Sequence, residues 1–92
     1  MARVIIPTVF QGPTRGESVA EVDGESIADC FDRVEALFPG LRELIVDPAT
    51  GSIHKFVQVT LNGVLLERGP EALAQPVSST DEIEVIAAIA GG

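Results

Sequence analysis

One stretch limits what this chain can fold into more than any other, the run from Ser26 to Phe38. Apolar side chains fall at Ile27, Cys30, Phe31, Val34, Leu37 and Phe38, the spacing of a single helix face. Asp29, Asp32, Arg33 and Glu35 take the other side and read as a solvated surface. Ser26 is a candidate N-cap, and Asp29 three residues on gives a capping-box-like start. Pro39-Gly40 stops the helix. A single one-sided helix has to bury its stripe against something else, and the rest of the chain offers strands.

Val4 to Phe10 is apolar and β-branched and reads as a first strand. Pro7 cannot donate to a ladder, so it marks a strand end, an edge or a bulge. Gln11 to Glu17 reads as a turn, and Ser18 to Val22 alternates weakly, as a strand pairing back would. Beyond the helix, Leu41 to Val46 is ambiguous between a short helical turn and an extended piece, and Asp47 to Ser52 is a loop. Phe56 to Leu61 is a strong strand with Val57, Val59 and Leu61 on one side. Asn62-Gly63 suits a tight turn with two positive φ angles, and Val64 to Leu66 returns. Glu67 to Pro76 is polar and broken. Asp81 to Ile86 alternates into a final strand. One helix across one face of a mixed sheet of about four to five strands is the simplest two-layer solution. That is an α+β, β-grasp arrangement, predicted to span residues 1–86, with 87–92 as a flexible tail.

Composition narrows the function classes. At 92 residues the chain is one domain, and 46% hydrophobic residues supply a modest core. The net charge of −8 lacks a basic nucleic-acid footprint and is repelled by anionic membrane. No apolar run is long enough to span a bilayer, and the N-terminus shows no signal-peptide pattern. A cytoplasmic protein is expected. The single cysteine, Cys30, rules out an internal disulfide, and its helical position reads as a buried, inert thiol. His54 has no ligand-spaced neighbours and reads as a turn or strand-entry residue. Phe10, Phe56 and Ile86 read as core or sheet-face packing. No acid–base pair, nucleophile constellation or phosphate loop is visible, so an enzyme is the least expected class.

The sequence closes on Ala87-Ala88-Ile89-Ala90-Gly91-Gly92, straight after a strand. A carboxylate is a poor electrophile until it is converted to a form with a better leaving group, as by adenylation on another enzyme. A tail that carries its carboxylate into such a pocket should be thin and extended, and glycine at the reacting end leaves no side chain in the way. Six extended residues reach roughly 20 Å. Gly92 is therefore the candidate reacting group. Ala87, Ala88, Ile89, Ala90 and Gly91 are the candidate threading segment, with Ile89 its only bulky side chain. Glu82 and Glu84 should share one sheet face. Together with Ile86 they are candidates for partner docking, against the simpler reading of a solvated face.

The element order, the run Phe56-Val57-Gln58-Val59-Thr60-Leu61-Asn62-Gly63, the strand Asp81-Glu82-Ile83-Glu84-Val85 and the terminal Ala90-Gly91-Gly92 together resemble the ubiquitin-like sulfur carrier proteins of the MoaD/ThiS/CysO group. Ile53-His54-Lys55-Phe56-Val57 and Ile6-Pro7-Thr8 look most like the CysO branch. The resemblance implies that a ubiquitin-activating-type adenylyltransferase, using ATP and magnesium, converts Gly92 to an acyl-adenylate. A sulfur donor then makes the thiocarboxylate, and a sulfur-acceptor synthase uses it to build a carbon–sulfur bond. In the CysO branch the product is cysteine, released by a metalloprotease; in relatives it is another sulfur-containing metabolite. It also implies that this chain binds no cofactor of its own. A ubiquitin-like modifier joined through Gly92 to lysines is the alternative, and a plain β-grasp interaction domain is a third.

Overall fold

A computed structural model describes residues 1–87 of the 92. Strands β1 (Ala2–Ile5) and β2 (Val19–Val22) form the first hairpin, and α1 (Ile27–Leu37) follows. A short α2 (Arg42–Ile45) leads to β3 (Val57–Leu61) and β4 (Val64–Leu65), then to α3 (Pro70–Leu73) and β5 (Glu82–Ala87). The strands make one sheet in the order β2-β1-β5-β3-β4, with β1 and β5 parallel and the other pairs antiparallel. This is the expected β-grasp.

Each element has a local cause. Ser26 caps α1, its hydroxyl accepting from the Asp29 N–H at 3.1 Å. The Asp29 carboxylate reaches back to accept from the Glu25 N–H at 2.9 Å, which satisfies a second donor at the helix entrance. Ile27, Cys30, Phe31 and Val34 are buried against alternate residues of the sheet, Val4, Val59, Ile83 and Val85 among them. Leu37 departs from the expected stripe and is 56% exposed. It lies at the stripe's rim in the last turn, beside Met1 and Val22 in a shallow groove. The stretch left open by periodicity folds as α2, and Leu41, Ile45 and Val46 are buried.

The first strand stops before Pro7. It runs only to Ile5, and Thr8–Phe10 forms a 3-10 turn. Because β1 sits inside the sheet, a residue without an N–H has to fall outside its paired register. Asn62 and Gly63 both take positive φ, 51° and 85°, as the two-residue hairpin between β3 and β4 requires. Asn62 does more than turn the chain. Its carbonyl accepts from the Glu82 N–H at 2.9 Å and its amide donates to Asp81 at 2.9 Å. The hairpin tip is thereby clipped to the start of β5. No helix among the described residues is long and apolar enough to cross a membrane.

Candidate functional site

β5 lies between β1 and β3 and is bonded on both sides. Ile83 and Val85 point into the core. The alternation that buries them turns Glu82, Glu84 and Ile86 to the face without helix cover. Glu82 and Glu84 are exposed there and Ile86 is half-buried. Gln58 is Ile86's partner across the ladder, and Thr60 and Ile5 flank Glu84 on either side. Arg3 offsets part of the charge, 3.6 Å from Glu82, an exposed pair of small energetic weight. The structure thus brings the three docking candidates together in one row. Ala87 closes β5 opposite Val57, and Ala88, Ile89, Ala90, Gly91 and Gly92 lie outside the described residues.

The edge of the sheet where β5 ends is built by a turn at residues 54–57. The Val57 N–H donates to the His54 carbonyl at 2.9 Å. The Arg68 guanidinium donates to that same carbonyl and, at 2.6 Å, to the carbonyl of Val57. The His54 N–H donates to the Ile45 carbonyl at 3.0 Å, and the His54 ring lies 2.8 Å from the Glu43 carbonyl. His54 is thus spent on holding this turn. Phe56 does not pack in the core or on the sheet as expected. It precedes β3 within the turn, is 53% exposed, and carries the Lys55 ammonium 5.3 Å from its ring centroid. Phe10, in contrast, packs against the core.

The other chemically distinctive groups belong to structure. Cys30 is fully buried, and burial, with the Asp29 charge nearby, pushes its thiol pKa up, away from a reactive thiolate. Glu35 accepts from the Gly40 and Arg42 N–H groups, each at 2.9 Å. These bonds hold its carboxyl below the usual range. A groove of about 660 Å³ runs between the β3–β4 hairpin and α3, lined by Leu61, Val64, Leu65, Leu66, Glu67 and Glu71 among others, with no nucleophile–base pair in its lining. Among the described residues no group of three potential ligands is arranged to hold a metal ion.

Sequence reasoning missed Arg68, the Lys55–Phe56 pair and α3. Of these only the pair had a faint signal, since Lys55 is the only lysine of the chain and abuts one of four phenylalanines.

A family model, the ThiS family, matches residues 9–92. A chain in the crystal structure of the Amycolatopsis orientalis BexX/CysO complex superposes with a TM-score of 0.83 at 28% identity, covering 100% of both chains. The crystal structure of Mycobacterium tuberculosis CysO, an antigen, gives 0.84 at 24% identity over 97% of this chain and 100% of that one. The solution structure of small archaeal modifier protein 1 from Methanosarcina acetivorans gives 0.75 at 19% identity, over 99% and 95%. A search of curated proteins finds no match.

Proposed function

This chain belongs to the ThiS family, with its likeness to the CysO branch of the ubiquitin-like sulfur carriers, and from that premise we propose that it carries sulfur as a thiocarboxylate on Gly92. As a member of that family it is a small carrier and not an enzyme. The observation that carries the reading is that the family match runs through Gly91-Gly92, in a chain whose last described strand, β5, is held at the centre of the sheet.

The chemistry takes place in a partner. A Gly92 carboxylate oxygen attacks the α-phosphorus of ATP on an adenylyltransferase, with magnesium supplied there, and pyrophosphate leaves. Hydrosulfide attacks the acyl carbon and expels AMP, leaving a thiocarboxylate on Gly92. Its sulfur is then the nucleophile for carbon–sulfur bond formation in an acceptor synthase. Cysteine, released by a metalloprotease, is the product the CysO likeness favours. The carrier contributes position, holding one reacting atom in another protein's site. Ala88, Ile89, Ala90 and Gly91 thread the channel, while Ala87, expected in the tail, stays in β5 opposite Val57, and the Glu82, Glu84 and Ile86 row docks against a basic partner surface. Such a cycle belongs in the cytoplasm, where ATP and the sulfur donor meet.

The test is the intact mass after incubation with ATP, magnesium, the adenylyltransferase and sulfide. Exchange of one oxygen for sulfur, located on Gly92, is expected. An unchanged mass, with the enzyme competent on another carrier, refutes the reading. The likeness to a small archaeal modifier protein favours one second reading, conjugation through Gly92 to lysines, which would leave Gly-Gly remnants on other proteins after proteolysis.

A further inference from the structure

The tail limits where its partner can sit. Five residues follow Ala87, and five extended residues reach at most roughly 17 Å. Any enzyme that encloses Gly92 must therefore bring the mouth of its channel close against the edge of the sheet where β5 ends. Ala87 pairs with Val57, so the residues just before Val57 lie at that edge. They are Lys55 and Phe56.

This pair is unusual for the chain that bears it. Phe56 is a large aromatic left 53% exposed, on a turn fixed by Arg68, His54 and the Ile45 carbonyl. A side chain presented on a rigid base loses little freedom when it docks. Lys55 is the only lysine in a chain of net charge −8, and among the described residues no carboxylate pairs with it. Interfaces draw most of their energy from a few aromatic and cationic anchors near the centre of the contact.

We propose that Lys55 and Phe56 are a docking contact for the activating enzyme, Phe56 entering an apolar slot at the channel mouth and Lys55 meeting a carboxylate beside it. The charge pattern expected of that mouth is mixed. It is acidic opposite Lys55 and basic opposite Glu82 and Glu84, which fixes the rotation of the carrier as the tail enters. This inference rests on the proposed carrier function and adds residues outside the β5 row.

The test is ATP–pyrophosphate exchange by the adenylyltransferase with the full-length chain as variable substrate. Phe56→Ser should raise KM for the carrier about tenfold, the loss typical of an interface anchor, with kcat unchanged. Lys55→Glu should raise KM about fivefold at low salt and less at high salt, because the pair is screened. Leu65→Ser removes an equally exposed apolar side chain at the far end of the β3 ladder and should leave KM unchanged. Both docking residues are exposed, so wild-type melting temperatures are expected and exclude misfolding. KM within twofold of wild type for Phe56→Ser overturns the proposal, as does a rise seen only with the acceptor synthase. Wild-type protein that is never adenylated by a competent enzyme is a different result. It overturns the carrier reading, and this contact with it.

Discussion

Gly24→Ala tests the packing that seats α1. A Cβ built at Gly24 would lie 2.6 Å from the Cys30 sulfur, 2.9 Å from the Cys30 backbone nitrogen and 3.0 Å from its Cα. Two of those atoms are backbone in the first turn of the helix and cannot swing aside. The added methyl therefore pushes the helix entrance off Ser26 and the sheet. Overpacking of this kind costs about 1–3 kcal/mol. Loss of glycine's freedom in the unfolded chain returns about 0.4–1 kcal/mol, leaving a net loss of about 1–2 kcal/mol. For a domain of this size that lowers Tm by roughly 4–16 °C. The comparison is Gly12→Ala, where nothing lies within 4 Å of the new Cβ, so only the unfolded-state gain remains and stability should hold or rise. Urea unfolding of both variants, with equal m-values, reads the difference. A further variant, Gly24→Ala with Cys30→Ala, removes the sulfur contact but neither backbone contact, so rescue should be partial. Gly24→Ala as stable as Gly12→Ala would refute the close-approach argument, and complete rescue would put the whole clash on the sulfur.

Asn62→Gly keeps the positive φ but gives up the bond from the Glu82 N–H, and should cost about 1 kcal/mol. Asn62→Ala also strains the turn and should cost about 1–2 kcal/mol more, so thermal melts should rank wild type, Gly, Ala. The carboxyls of Asp29, Glu35 and Asp81 are all held below their ordinary range by hydrogen bonds, chiefly from the N–H groups of Glu25, Gly40 and Ser78 respectively. Their stabilisation is complete above the unfolded carboxyl pKa near about 4 and is lost as pH falls through the lower folded values. Urea midpoints should therefore fall below about pH 4, and Glu35→Gln should flatten that fall. Cys30 should resist thiol reagents until the protein unfolds, with labelling that tracks the unfolding curve. Gly92→Ala should leave Tm unchanged and suppress thiocarboxylate formation, read by intact mass.

The parts of this fold that were legible in the sequence are those fixed by neighbours along the chain. Ser26 caps with a residue three positions away, Asn62-Gly63 turns on its own dihedral needs, and the alternation Ile83, Val85 sorts two faces without knowing what covers them. Pro7 announces a strand end, an edge or a bulge because its missing N–H is a local fact, and the fold takes the first of these. What escaped depends on contacts far apart in sequence. Arg68 donates to carbonyls 14 and 11 residues back, and nothing in its own neighbourhood says so. Leu37 obeys the helical period yet stays exposed, since period gives a direction and not the width of the surface that will cover it. α3 is four residues long and buries only Leu73, too little for a periodic pattern. The hydrophobicity of Phe56 points to packing, yet the side chain is 53% exposed. The turn that lifts it out of the sheet is closed by His54 and Arg68, which read individually as unremarkable polar residues.

The order β2-β1-β5-β3-β4 also bears on how a carrier of this kind survives its task. A tail drawn into an enzyme's channel pulls on the strand that bears it. An edge strand is held by one ladder and peels from its end. β5 is held by two, antiparallel to β3 up to the Val57–Ala87 pair and parallel to β1 from Arg3 to Ile5. Asn62 clips its start to the hairpin. Load applied beyond Ala87 must therefore break the β3 ladder from its last pair while the β1 ladder and the clip still hold the other end of the strand. In the proposed carrier cycle, the central position of β5 would keep the core around Ile83 and Val85 closed while the tail is engaged and released.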